Sequence, residues 1–75
     1  MLYAGLDLSR QKLDVHVLDE TGQTVELLAV HPDVDALRTL AARIARYGQP
    51  VEAASESMNG ARFVHDTLER LGWDV

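Results

Sequence analysis

Residues 2–8, Leu-Tyr-Ala-Gly-Leu-Asp-Leu, constrain this chain more than any other stretch. The run is apolar except for one glycine and one carboxylate near its C-terminal end. An apolar run without polar alternation predicts a strand covered on both faces, at the centre of a sheet. Asp7 breaks the pattern, because a buried ionised carboxylate is costly unless it is paired, hydrogen-bonded or bound to a metal. Two readings of it stand. Asp7 caps the turn that begins at Ser9, since turns favour Asp and Ser, or it ligates a cation beside a second carboxylate, for which Glu56 is the candidate.

The rest of the chain supplies the sheet around that strand. Ser9-Arg10-Gln11 reads as a turn, and Leu13, Val15 and Val17 alternate along residues 12–18 as in a half-buried strand. Residues 19–23 form a loop with Gly22 near its end, and residues 24–30 form a third strand. Connections this short make the first three strands an antiparallel meander. His31-Pro32-Asp33 ends it, and proline and an acidic residue both suit a first helical turn. Val34, Leu37, Leu40, Ala41, Ile44 and Tyr47 recur at helical spacing, with Arg38, Arg43 and Arg46 mostly off that stripe. Gly48 is a left-handed stop and Pro50 lies just beyond.

Residues 51–55 predict a fourth strand, with Glu56 at or just past its end. Ser57 or Asn59 would cap a second helix, Ala61, Val64, Leu68 and Leu71 share its apolar face, and Gly72 stops it. Trp73-Asp74-Val75 opens a fifth strand. The expected fold is α/β, in the order β-β-β-α-β-α-β. Its mixed sheet has the first three strands antiparallel and strands one, four and five parallel.

Bulk properties narrow the function. Seventy-five residues make one small domain of modest intrinsic stability. There is no cysteine, and His16, His31 and His65 share no spacing suited to zinc. Twelve acidic residues against seven basic ones give a net charge of −5. That is poor ground for a free-standing nucleic-acid binder, whose affinity comes mostly from neutralising phosphates with Lys and Arg. A hydrophobic content of 47% excludes a disordered acidic tail. Without a signal peptide or an apolar run of bilayer length, a cytoplasmic protein with no membrane partner is expected.

Strands one and four, joined through a helix, should run parallel by a right-handed crossover. Ligands of such sheets gather at the carboxyl ends of the parallel strands, where Asp7 and Glu56 both fall. Neighbouring strands lie roughly 5 Å apart, so both side chains can reach one divalent ion. Oxygen ligands alone suit Mg²⁺ or Mn²⁺ better than zinc. Two carboxylates hold such an ion weakly, and phosphoryl-transfer sites often use two metals roughly 3.5–4 Å apart.

Gly5-Leu6-Asp7-Leu8-Ser9, then Lys12-Leu13-Asp14-Val15, then Glu56-Ser57-Met58-Asn59-Gly60 together resemble the amino-terminal part of the transposases of the insertion sequence 110 family. These are relatives of the pilin-gene invertase. The resemblance runs the length of the chain, through Leu71-Gly72-Trp73-Asp74-Val75. It implies a RuvC-like, ribonuclease H-like fold and a four-carboxylate Asp-Glu-Asp-Asp set that binds divalent metal for DNA cleavage and rejoining. Asp7 matches the first member and Glu56 the second. The two further aspartates, the family's carboxy-terminal domain with its serine, and most of its basic surface are not in this sequence. The resemblance therefore implies a DNA partner, and a structured RNA, for the longer protein. For this piece alone it implies little nucleic-acid binding, weak or absent metal binding and no activity.

Blander roles compete at several positions. Glu52 and Asp14 read as solvated, Ser9 as a turn hydroxyl or a hydrogen-bond partner of Asp7, and Trp73 as packing. The three helix arginines form a solvated face or touch phosphate. Two rival functions remain. An actin- or sugar-kinase-like ATPase shares the element order, but its phosphate loop wants a glycine and hydroxyl pairing missing after Asp7. A non-catalytic oligomerisation module is the other, since unpaired sheet edges invite pairing between copies and a homo-oligomer.

Overall fold

The computed structural model describes residues 1–55 and 61–75. Its elements run β1 (Leu2–Leu8), β2 (Leu13–Leu18), β3 (Thr24–Val30), α1 (Val34–Ala45), β4 (Val51–Ser55) and α2 (Ala61–Arg70). The sheet order is β3-β2-β1-β4. β2 is antiparallel to both β1 and β3, and β1 is parallel to β4. The meander and the parallel pairing of the first and fourth strands thus take the expected form.

The fifth strand does not form as an element among the described residues. Asp74 makes one parallel bridge to Glu52 on β4. In it the Ala53 N–H donates to the Asp74 carbonyl (2.7 Å) and the Asp74 N–H to the Val51 carbonyl (2.9 Å). Trp73 is buried in the core and holds this segment in place.

β1 lies inside the sheet, yet only one of its faces is covered. Leu2, Ala4 and Leu6 are buried, whereas Tyr3, Gly5 and Asp7 are exposed. The expectation of a strand covered on both faces is therefore corrected. Both helices pack on the same side of the sheet. Leu37, Leu40 and Ile44 of α1 and Val64 and Leu68 of α2 join Leu13, Val15, Val17, Val51, Ala53 and Trp73 in a single apolar cluster. Among the described residues nothing covers the opposite face.

Local chemistry sets the helix ends. Asp33 is the N-cap of α1, its backbone extended and its carboxylate accepting the Ala36 N–H at 2.8 Å. Pro32 therefore precedes the cap and does not enter the first turn. Asp35 in the first turn and Arg43 in the last suit the helix dipole. Tyr47, which periodicity placed on the apolar stripe, lies past the helix and is half-exposed. Gly48 and Gly72 both adopt positive φ (67° and 102°), as left-handed turns after α1 and α2 require. The proposed caps Ser57 and Asn59 lie outside the described residues. Among the described residues no helix is long and apolar enough to cross a membrane.

Candidate functional site

Asp7 stands at the C-terminal end of β1, exposed on the open face of the sheet. The parallel register pairs Leu6 with Ser55. In sequence, the next residue along each strand is a carboxylate, Asp7 on one and Glu56 on the other. Glu56 itself lies outside the described residues, as do Ser57, Met58, Asn59 and Gly60.

The turn after β1 is closed by residues other than Asp7. Ser9 closes it: its N–H donates to the Lys12 carbonyl at 2.9 Å, and its hydroxyl donates to the same oxygen at 3.1 Å. Ser9 is thus a turn hydroxyl and does not reach back to Asp7. The Asp7 carboxylate forms no hydrogen bond or ion pair among the described residues.

A second carboxylate does meet Asp7, and it is Asp14. The β1–β2 ladder sets the two directly opposite each other. Cross-strand partners have Cβ atoms roughly 4.5–5.5 Å apart, and like charges so placed repel. The Asp14 side chain is 44% exposed, and one of its oxygens lies 3.7 Å from Lys12 Nζ. Reading Asp14 as solvated was correct for its exposure but missed its neighbour. The signal lay in the turn length: once Leu8 and Leu13 close the hairpin, one step back along each strand meets Asp7 and Asp14.

An open groove of about 440 Å³ runs past these carboxylates. Small residues, Gly5, Ala54 and Ser55, line it on the β1–β4 side, and His16 and Leu27 line it toward β3. A Cβ added at Gly5 would meet nothing nearer than the His16 carbonyl at 3.9 Å. Packing does not demand glycine there; its effect is to keep the groove open.

Several other polar groups have structural partners. His16 Nε2 shares a 2.7 Å hydrogen bond with the Thr24 hydroxyl. His65 lies 3.1 Å from Asp66 and 3.3 Å from Glu69 on its own helix. Arg43 Nε donates to both Glu26 oxygens (3.1 and 2.9 Å) and the Tyr47 hydroxyl donates to Glu26 (3.0 Å), tying α1 to β3. That hydrogen bond from Arg43 holds the Glu26 carboxyl below its ordinary range against the opposing effect of burial. Arg43 is therefore engaged within the fold through Nε, with its side chain 56% exposed. Asp19 is likewise held low, chiefly by the Thr21 hydroxyl and then by the Gln23 N–H, and organises the β2–β3 loop.

The carboxylates of the groove are oxygen donors of the kind that suit Mg²⁺ or Mn²⁺; the imidazole of His16 also lines it, with Nε2 hydrogen-bonded to Thr24. Among the described residues no group of three or more His, Cys, Asp or Glu side chains is placed to hold a metal. Asp7 and Asp14 supply two donors, fewer than a dedicated site needs. Compared with protein-family models the chain matches none, and no curated protein matches it.

Proposed function

We propose that this chain is the amino-terminal part of a ribonuclease H-like catalytic domain of a DNA transposase of the insertion sequence 110 type. In this reading Asp7 and Glu56 are two of four carboxylates that hold Mg²⁺ or Mn²⁺ for strand cleavage and rejoining. One observation carries it. Asp7 sits without a structural partner among the described residues, at the carboxyl end of an interior strand, beside a parallel strand that leads into Glu56.

When bound, such a cation stabilises the charge that builds on the reacting phosphate. The protein's own residues position. Pairing with Asp14 on β2 fixes the backbone of Asp7, and the small side chains of Gly5, Ala54 and Ser55 leave room for a bulky substrate above the sheet. With a net charge of −5, the chain offers DNA little attraction of its own. Most of the affinity would come from basic surface in the longer protein. The ATPase alternative fits less well. Its hairpin turn must present backbone N–H groups to phosphate, but here the turn has no glycine and the Ser9 N–H is bonded to Lys12.

The test is recombination by the protein that carries this chain, in Mg²⁺, with Asp7→Ala and Glu56→Ala. Each substitution is expected to lower strand cleavage by about 100-fold or more, several kcal/mol of lost transition-state stabilisation. Normal recombination by either variant would sink the proposal.

A further inference from the structure

The two edges of the sheet are treated differently. On β4 the outer edge is engaged by Asp74. On β3 no strand lies outside among the described residues, and alternate residues of an edge strand direct N–H and C=O groups outward. Proteins commonly guard such edges with charge, proline or short strands. β3 has seven residues and contains neither proline nor lysine. Its single charged side chain, Glu26, is drawn onto α1 by Arg43 and Tyr47. In the middle of the strand Leu27 is 72% exposed.

The strand is also self-complementary. Thr24 pairs with Leu18 and Glu26 with Val17, so Val25 is a bulged extra residue and the regular strand starts at Glu26. Pairing the regular stretch, residues 26–30, antiparallel to itself about Leu28 sets Leu27 opposite Ala29 of the second copy, and Glu26 opposite Val30. Large meets small on the open face, and Glu26 meets no like charge. A two-fold pairing of this kind is closed, because each copy uses its β3 edge once.

We propose that two copies of this chain join edge to edge through β3, antiparallel about Leu28, merging two four-stranded sheets into one. The partner is a second copy because the register pairs large with small side chains on the open face and sets no like charges opposite each other along the strand pair, while the net charge of −5 on each copy makes the association stronger at high salt. This pairing is independent of the proposed chemistry at Asp7.

Five residues a side cover less than the roughly 1,200–2,000 Å² of durable interfaces, so the dimer depends on concentration. Sedimentation of the 75-residue chain should show monomer near about 1 μM and dimer by about 1 mM. Leu27→Lys should weaken dimerisation by at least about tenfold with an unchanged circular dichroism spectrum, since Leu27 is exposed. The chain has no cysteine, so introduced thiols report the register: mixed Leu27→Cys and Ala29→Cys chains should cross-link faster than either alone. A chain that stays monomeric to about 1 mM, or a dimer indifferent to Leu27→Lys, would overturn the proposal. So would Leu27→Cys linking to itself as fast as to Ala29→Cys. Protection of the β3 amides only when another protein is added would assign the edge to that partner and overturn self-pairing.

Discussion

Asp7 and Asp14 lie directly opposite each other across the β1–β2 ladder, on the face of the sheet that neither helix covers. Two aspartates so placed repel, and Lys12 lies near Asp14 only. Such an arrangement weakens the fold at this end of the hairpin, and a cation placed between the two carboxylates would relieve it.

Removing the charge at Asp7 should therefore stabilise the chain while removing its proposed chemistry. Asp7→Asn is expected to raise unfolding free energy by about 0.2–1 kcal/mol at low salt. For a domain of this size that is a gain of about 1–8 °C in Tm. The gain should shrink as ionic strength screens the exposed pair. Thermal melts at low and high salt check this, and an Asp7→Asn chain less stable than wild type at low salt would mean Asp7 has a structural partner.

The Glu26 carboxyl gives acid sensitivity with a defined sign. Its pKa is depressed in the folded chain, from an ordinary 4.5, by the hydrogen bond from Arg43. Stability from this group is present above the unfolded value and is lost as pH falls through the folded value. Denaturant melts should therefore show stability dropping below about pH 4.5, with a shallower drop in Glu26→Gln. Asp19 is also held low and contributes the part that persists. Tyr47 acts at the other limit. Burial, then its hydrogen bond to Glu26, raises its pKa above the ordinary 10.0. Its contribution is present below pH 10 and is lost as pH rises past it, and Tyr47→Phe should flatten that alkaline limb.

Asp33 caps α1 through its bond to the Ala36 N–H. Asp33→Ala should cost about 1 kcal/mol, and Asp33→Asn or Asp33→Ser should recover most of it. Equal losses for all three substitutions, measured by urea unfolding, would contradict a capping role.

What the sequence revealed followed from local rules. α1 was legible because its core stripe, cap and glycine stop agree, and Leu37, Leu40, Ala41 and Ile44 are all buried. The meander was legible because the turns after β1 and β2 are too short for anything else. The face of β1 was not. Tyr3 and Gly5 read as apolar in a composition window, and nothing in the run itself says that both helices pack on one side. The Asp7–Asp14 opposition was also hidden from composition, because it depends on hairpin register, which only the closing pair Leu8–Leu13 fixes. Trp73 was read correctly as packing, but the strand expected around it is a single bridge at Asp74. Glu56, the other half of the expected site, lies outside the described residues.

The most direct test of the proposed half-site is a Mn²⁺ titration of the isotope-labelled chain, read by paramagnetic broadening of its amide resonances. Binding in the range of about 1 mM is expected of so few carboxylates. Broadening should centre on Gly5, Asp7 and Ser55, disappear in Asp7→Asn and be competed by Mg²⁺. Broadening centred on Asp19 and Glu20 instead, or unchanged by Asp7→Asn, would contradict a metal-binding role for Asp7.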